Sequence, residues 1–370
     1  MARRFRLPKS VEELAEWYMH YVSPLSLIAG FLLDTFFLAK RVDLFLTNAL
    51  LFTYLIVSAA AIFLINFIEA GKLREKIALR LLPLLPVVVQ FCFGGLFSAY
   101  LSLYSRSANI AISWIFVIVL AALILLNERF SHFYRRFSVQ VSFYFVVLFS
   151  FLIFFLPVVF KTIGPFMFLG SGTLAVAIIA IFLSLLFRYI PSLLSEKGRL
   201  RRCVSAIGTI YLLFNVLYFT NIIPPLPLAL KSAGVYHTID KLPDGTYRLT
   251  GERLPWYEEY LNYAPIYHRA PGEPIYVWSA IFAPSGLTTD VVHEWQRYDK
   301  AHGRWITESV VRFPIMGGRD GGYRGYSEKV TGAAGTWRVN VVTSYGQLIG
   351  RIAFTVADAS TTPLLVTQLP

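Results

Sequence analysis

Long runs of apolar residues, separated by short charged stretches, occupy the first 230 residues of the chain. A helix needs about 20 mostly apolar residues to cross a bilayer, because its backbone must satisfy its own hydrogen bonds in lipid. The run at 204–222 meets this requirement without a charge, and Pro224, Pro225 and Pro227 then prevent further helix. The pattern predicts seven spans, at about 23–39, 45–69, 81–104, 109–127, 139–160, 167–188 and 204–222.

The third of these runs has the weakest helical pattern. Pro83 and Pro86 lie near its start, and Gly94 and Gly95 lower its helix propensity. A complete span and a broken or re-entrant segment both fit this run.

After the prolines the pattern changes to short alternating runs. Asp244 and Gly245 form a turn signal between two such runs, which predicts a β-hairpin. Six β-rich runs follow, bounded by Gly, Pro, Asp or Ser, at 275–283, 291–298, 305–313, 323–329, 337–343 and 348–356. Trp337, Val339 and Val341 share one face of their run. The sequence therefore predicts an all-β, immunoglobulin-like antiparallel sandwich with Trp337 in its core.

These patterns divide the chain into four parts. Residues 1–21 form a basic N-terminus and an interfacial helix, and residues 22–224 form a transmembrane helical domain. Residues 225–270 form a Pro-rich exit, a hairpin and a linker, and residues 271–370 form the β-sandwich.

Composition supports a multi-pass membrane protein. The chain is 56% hydrophobic and 15% charged, with a mean hydropathy of +0.58. Its two cysteines, Cys92 and Cys203, lie in or beside apolar runs, so no disulfide is expected.

The distribution of charge predicts an orientation. Residues 1–230 carry 20 Lys and Arg against 9 Asp and Glu, a large share of the net charge of +12. Most of these cations lie at the N-terminus and in the loops 70–80, 128–138 and 189–202, and cytoplasmic loops carry such an excess. The N-terminus is therefore expected inside, and the C-terminal domain in the periplasm of a bacterium. The charge fits loops beside a bilayer rather than a nucleic-acid surface.

The C-terminal domain contains one candidate binding group. His293, Trp295 and Arg297 alternate along one run and share a face, and Trp305 lies on the next run. Aromatic rings beside Arg and His suit a sugar or an anionic envelope polymer. The alternative is that Trp295 is a core residue and that Arg297 caps the sheet.

A glycine-rich run, 317–322, adds Arg319 and Arg324 as candidate exposed cations. The run lacks the Gly-Lys-Ser/Thr ending of a phosphate loop and does not lead into a helix. His293, Glu294, Asp299 and His302 lack a metal-ligand spacing, and no Gly-x-Ser-x-Gly elbow is present. The sequence therefore predicts no catalytic residue, no metal and no cofactor.

An acidic residue inside the first span is a second candidate. Asp34 lies at membrane depth, with Arg41 and Asp43 just beyond it. Ionisable groups in a membrane are often functional, but pairing of Asp34 with Arg41 near the interface explains them equally well.

Several stretches resemble an uncharacterised bacterial family. They read NIIPPLPLALKSAGVYH, YVWSAIFAPSGL, VVHEW, GGRDGGYRGYS and GTWRVNVVTSYGQLIGRIAFTV. Members of that family carry a C-terminal domain of unknown function behind a multi-span membrane region. The resemblance implies a bacterial inner-membrane protein and implies no activity. The residues that match its domain motifs are His293, Trp295, Gly318, Arg319, Arg324, Ser327, Trp337 and Gly350.

Two hypotheses follow from the sequence. The first is a non-enzymatic inner-membrane protein whose periplasmic sandwich binds an envelope protein or a glycan. The second is a transporter or membrane-embedded enzyme with its chemistry near Asp34. The lipid bilayer is an expected partner in both, nucleic acid in neither, and the oligomeric state stays open.

Overall fold

The computed structural model describes residues 44–74, 77, 81, 82, 84–107, 118, 122, 136–195, 198–243, 245–253, 265–319, 321–359 and 363–369. The chain divides into two compact units. The first is helical and ends at Ile223. The second consists mainly of strands and comprises Pro224–Pro370 with the short loop Lys161–Gly164.

Six helices are described in the helical unit. They are α1 (Phe45–Glu69), α2 (Leu85–Ser107), α3 (Phe137–Phe160), α4 (Pro165–Tyr189), the short α5 (Ser192–Ser195) and α6 (Arg199–Phe219). All except α5 are long and apolar enough to cross a membrane. These five long helices coincide, within a few residues, with five of the predicted spans. The predicted span 23–39 falls outside the described residues, and of the predicted span 109–127 only residues 118 and 122 are described.

The third predicted span contains one continuous helix, α2, despite its glycines. Pro86 occupies the first turn of α2, where a missing N–H removes no helical hydrogen bond. A Cβ atom on Gly95 would lie 2.7 Å from Cε2 of Tyr54 in α1. Gly95 therefore allows a close approach of the Tyr54 ring and does not break the helix.

Polar side chains cross-link the helices at a few buried points. Asn66 Nδ2 in α1 donates to Gln140 Oε1 in α3 at 2.8 Å. The Tyr100 hydroxyl in α2 donates to the Val147 carbonyl oxygen in α3 at 2.8 Å. Both bonds keep polar atoms satisfied inside an apolar unit.

Eleven strands are described in the β unit. They are β1 (Ala229–Tyr236), β2 (Thr238–Lys241), β3 (Tyr247–Glu252), β4 (Ile266–Arg269), β5 (Ile275–Phe282), β6 (Thr288–Asp299), β7 (Arg304–Met316), β8 (Tyr323–Lys329), β9 (Gly335–Thr343), β10 (Leu348–Asp358) and β11 (Leu365–Gln368). They form three sheets, with the strand orders β1-β5-β8, β4-β10-β9-β6-β7 and β11-β3-β2.

Strands β5 to β10 correspond to the six runs that the sequence predicts. The predicted hairpin is also confirmed, because β2 and β3 pair antiparallel across a turn in which Gly245 has a φ of +81°. Such a positive φ suits glycine, which lacks a Cβ atom.

The five-stranded sheet and the sheet β1-β5-β8 share one hydrophobic core. Trp337, Val339 and Val341 of β9 all face this core and are fully buried, as their alternation predicts. The third sheet packs on the opposite face of β5 through Leu249 and Trp278. The sheet β1-β5-β8 is therefore the middle of three layers.

One pair of strands departs from the predicted antiparallel order. β4 pairs with β10 in parallel, so the five-stranded sheet is mixed. A tight hairpin forces neighbouring strands to be antiparallel, but β4 and β10 are far apart in the chain. No turn therefore sets their direction.

The compact β unit also begins earlier than the predicted boundary at residue 271. β1 pairs with β5 along Ala229–Tyr236, and Leu228 and Tyr267 lie in the shared core. The β1 sequence, ALKSAGVY, has few β-branched residues and no clear alternation, so its pattern did not indicate a strand. Pairing with β5 places it in the sheet.

Candidate functional site

The outer face of the five-stranded sheet carries a connected set of polar and aromatic side chains. Successive residues of a strand point to opposite faces, so the residues between the core positions of β6, β9 and β10 point away from the core. The strand register brings these outward residues side by side. We call this set the arginine–amide network, and it consists of Gln296, Trp305, Thr307, Arg338, Asn340 and Arg351.

Two amide side chains hold the network together. Gln296 Oε1 accepts from Arg338 Nε at 2.7 Å and from Asn340 Nδ2 at 3.2 Å. Asn340 Oδ1 accepts from Arg351 Nε at 2.7 Å. Gln296 Nε2 donates to Thr307 Oγ1 at 3.1 Å. These bonds connect four neighbouring strands and fix both guanidinium groups through their Nε atoms.

An aromatic ring borders this network. The guanidinium carbon of Arg338 lies 4.1 Å from the centroid of the Trp305 ring, which is a cation–π contact. Trp305 also packs on Tyr298, with ring centroids 5.2 Å apart. The face therefore combines flat rings, flat guanidinium groups and flat amides.

The two guanidinium groups repel each other. Burial lowers the pKa of Arg338, and the charge of Arg351 lowers it further, with a smaller opposing effect from Glu294. Burial also lowers the pKa of Arg351. Both groups stay charged at neutral pH, since arginine titrates far above it.

Two of the predicted binding residues lie in the core instead. His293, Trp295 and Arg297 share one face of β6, as predicted, because they oppose the inward residues Val341, Val339 and Trp337 of β9. That face is the inner one, and the His293 and Trp295 side chains are fully buried. Trp295 therefore lies in the core, in agreement with the alternative interpretation of the sequence.

A small polar cluster satisfies His293 inside the core. Its Nε2 lies 2.9 Å from Ser279 Oγ, and its Nδ1 lies 2.8 Å from Ser327 Oγ. Ser327 Oγ also accepts from Trp295 Nε1 at 3.0 Å. Burial lowers the pKa of His293 to about 4, so the ring is neutral at pH 7. The Ser–His pairs are closed to solvent, which suits a structural role.

The remaining predicted residues lie apart from one another. Arg297 Nε donates to Glu308 Oε1 at 2.8 Å. Trp305 belongs to the outer face, opposite to that of His293. Arg319 is exposed, with its guanidinium carbon 5.6 Å from the Tyr323 ring. Arg324 is half-buried on β8, in another sheet. The predicted group is therefore not one surface.

A second polar cluster lies where β1, β3 and β4 approach one another, and the sequence did not indicate it. The buried His237 places Nδ1 2.5 Å from Glu273 Oε1 and Nε2 3.3 Å from Glu252 Oε1. Glu252 Oε2 also lies 2.8 Å from Nδ1 of His268, which is partly exposed. His237 stacks on Tyr267, with ring centroids 4.4 Å apart. Burial, together with both carboxylates, raises the pKa of Tyr267.

This cluster holds together strands that do not pair with one another. Glu252 lies on β3, while Glu273 follows β4 and also accepts from the backbone N–H of Ala270 at 2.9 Å. Charge-assisted hydrogen bonds of this kind are stronger than neutral ones. No group of three or more His, Cys, Asp and Glu side chains could hold a metal ion within the part of the chain that the structure describes.

The intramembrane candidates Asp34, Arg41 and Asp43 lie outside the described residues. Cys92 and Cys203 are both free and buried.

Sequence reasoning identified Trp305 but missed the other five members of the network. Gln296, Arg338, Asn340 and Arg351 alternate with core residues, so period two places them outward. The strand order, which brings β6 between β7 and β9, is what joins them. These residues could have been identified from the alternating pattern, in which Arg, Asn and Gln occupy the positions between the apolar core residues.

Comparison with known proteins gives one family match. Residues 288–356 match the family described as "Protein of unknown function (DUF2914)". This match confirms the resemblance for the C-terminal region, and the matched segment contains all six residues of the network. No curated protein matches the chain.

One solved structure aligns with most of the chain, although with little similarity. It is the Pseudomonas fluorescens alkylpurine DNA glycosylase AlkC bound to DNA containing an abasic site analog. The identity is 12% and the TM-score is 0.23, with 86% of this chain and 99% of that chain covered. A likeness of this size carries no argument about fold or function.

Proposed function

We propose that this protein is a multi-pass protein of the bacterial inner membrane that binds an envelope partner through its C-terminal domain. The arginine–amide network carries the proposal. Its charged and aromatic groups face outward and are fixed in place before any partner arrives. Preorganised groups lose little conformational entropy on binding, which favours a recognition role over a purely structural one.

The membrane part of the proposal rests on the helices and on loop charge. The described helices α1, α2, α3, α4 and α6 are long and apolar enough to span a bilayer. The basic N-terminus and the basic loops favour a cytoplasmic N-terminus. With seven spans, the C-terminal domain lies in the periplasm. This domain is an immunoglobulin-like sandwich in the proposal, extended by the parallel strand β4 and by the third sheet.

Reporter fusions test the orientation. Alkaline phosphatase fused after Pro370 should be active, and a fluorescent protein that requires the cytoplasm should stay dark at the same position. The reverse result would place the domain in the cytoplasm and overturn the proposal.

Photo-crosslinking in intact cells tests the binding face. Val310 lies on the outer face beside Glu294 and is 59% exposed. Val330 follows β8, in another sheet, and is 62% exposed. A photoreactive residue at position 310 should give a specific adduct, and the same residue at position 330 should not. Equal labelling at both positions would argue against a defined face.

A further inference from the structure

We infer that the carboxylates of Glu252 and Glu273 guard the free edge of β4 and keep a second copy of the chain from adding a strand there. An edge strand presents N–H and C=O groups with which another chain can pair. The inference rests on hydrogen bonds from such N–H groups to the two carboxylates. It goes beyond the proposed function and does not depend on the arginine–amide network.

Strand β4 forms one edge of the five-stranded sheet. On its paired side, the carbonyl oxygens of Pro265 and Arg269 accept from the backbone of β10 and of the residue after it, each at 2.9 Å. Alternate residues of a strand direct their backbone groups to opposite sides. The N–H groups of His268 and Ala270 therefore point to the free edge, where an added strand would accept them.

Both of these N–H groups already donate to a carboxylate. Glu252 Oε1 accepts from the backbone N–H of His268 at 2.5 Å, and Glu273 Oε2 accepts from that of Ala270 at 2.9 Å. Glu252 lies on β3, whose backbone pairs with β11 in the third sheet. Its side chain therefore reaches from one sheet to the edge of another. The carboxylate oxygens take the places that the carbonyl oxygens of an added strand would take.

His237 holds the two carboxylates at this edge. Its Nδ1 lies 2.5 Å from Glu273 Oε1, and its Nε2 lies 3.3 Å from Glu252 Oε1. Its backbone N–H donates to the Thr250 carbonyl oxygen at 2.8 Å, and its ring stacks on Tyr267. Because the buried ring is held on both edges and on one face, the carboxylates have little freedom to turn away from the N–H groups.

The opposite edge of the same sheet is protected in another way. β7 contains Pro314, which lacks a backbone N–H, and its pairing with β6 shifts register between Trp295 and Gln296. Prolines and bulges hinder strand addition. β4 has the sequence IYHR, without a proline, and pairs with β10 in an unbroken register. The carboxylates therefore supply a protection that the β4 sequence lacks.

The neighbour best suited to an open β4 edge is another copy of the chain. Identical edges can pair antiparallel around a twofold axis, which needs no other protein. Ile266 begins β4 and is 54% exposed, so pairing would also bury an apolar side chain. Removal of the guard should therefore produce dimers joined at β4.

Substitution of both acids tests the inference with the full chain in mild detergent. Copies with two different affinity tags are produced together, and capture of one copy through the other measures self-association. Glu252→Ala with Glu273→Ala should raise co-capture about fivefold over the wild type, because two edge N–H groups lose their acceptors. Glu252→Gln with Glu273→Gln is the matched control. Its amide oxygens can still accept, so co-capture should stay within about twofold of the wild type.

A lysine on the edge strand separates strand pairing from general unfolding. A charged side chain on an edge strand opposes strand addition. Ile266→Lys, added to the double alanine variant, should return co-capture to the wild-type level. Met316→Lys, at a 62% exposed position of β7, should not. Because both lysines add the same charge, the difference between them locates the contact at β4.

Hydrogen exchange in the unmodified chain keeps the test valid if the alanine variant does not fold. The amides of His268 and Ala270 should exchange at least about tenfold more slowly than in an unstructured peptide of the same sequence. Fast exchange at either amide would overturn the inference. So would wild-type co-capture in the alanine variant, an equal rise in the glutamine control, or a failure of Ile266→Lys to lower co-capture. None of these outcomes bears on the crosslinking and reporter tests of the proposed function.

Discussion

The helical unit and the β unit bury polar side chains in different ways. Asn66 Nδ2 donates to Gln140 Oε1 between α1 and α3, two helices whose backbone hydrogen bonds are made within each helix. His293 instead lies on β6 and contacts Ser279 and Ser327 on two strands of another sheet.

The difference shows what each unit depends on. A helix in lipid keeps its backbone hydrogen bonds whichever neighbour it packs against, so a cross-helix polar contact adds little. The β core brings together strands from two sheets, and its polar groups have no water to replace a lost partner. We therefore expect changes in the β core to cost more than comparable changes between helices.

The largest effect is expected at the centre of the β core. Trp337 is fully buried, donates from Nε1 to the Ala333 carbonyl oxygen at 2.9 Å and packs edge-to-face on Trp295. Trp337→Ala should reduce the free energy of unfolding by about 3–5 kcal/mol in a fragment spanning 224–370. Guanidinium unfolding followed by circular dichroism measures it. The half-buried Trp305→Ala is the comparison, and an equal cost for both would contradict the assigned core.

The next effect concerns pH. The folded domain holds His293 neutral with a pKa of about 4, while the unfolded chain titrates near 6.5. The unfolded state therefore takes up this proton first as the pH falls. The free energy of unfolding that depends on neutral His293 should therefore be fully present above about pH 6.5. It should decline as the pH falls towards 4, by on the order of 3 kcal/mol.

A histidine variant isolates this contribution. His293→Gln should flatten the dependence of the unfolding free energy on pH between 6.5 and 4. His302 is 67% exposed beside Asp299, so His302→Gln should leave most of the slope in place. An unchanged slope in His293→Gln would show that other groups govern the pH dependence.

A smaller effect on stability is expected in the glycine-rich turn, where substitutions at two glycines can be compared. A Cβ atom on Gly317 would overlap the backbone carbonyl oxygen of Pro284, whereas on Gly321 the nearest atom is Arg324 Nη2 at 4.0 Å. Gly317→Ala should destabilise the domain by about 1–3 kcal/mol. Gly321→Ala should stay within about 0.5 kcal/mol of the wild type. Similar melting temperatures for the two variants would show that the turn adjusts freely.

The smallest effect is expected between the helices. A double-mutant cycle with Asn66→Ala and Gln140→Ala should give a coupling energy of about 1 kcal/mol, as is usual for such contacts in membranes. Unfolding of the full chain in mixed detergent micelles measures it. A coupling as large as the Trp337 effect would remove the contrast between the two units.

Much of the fold follows from local patterns. Apolar length predicted the five described helices that are long enough to cross a membrane, and period-two alternation predicted β5 to β10, because both signals come from neighbouring residues. The Asp244–Gly245 turn predicted the β2–β3 hairpin for the same reason. The strand β1 and the parallel pair β4–β10 depend on partners distant in sequence, and their own residues carry little sign of them.

The candidate site divides in the same way. The sequence by itself determined that His293, Trp295 and Arg297 share one face, because side-chain direction alternates along any strand. It also placed Trp305 on the run that follows the run of His293, but it did not identify the other members of the network. Only the tertiary structure decided which face is buried, because that depends on the sheet β1-β5-β8 covering one side of β6 and β9. The same packing placed His293 and Trp295 in the core and left Arg338, Arg351 and Trp305 half-buried on the opposite face.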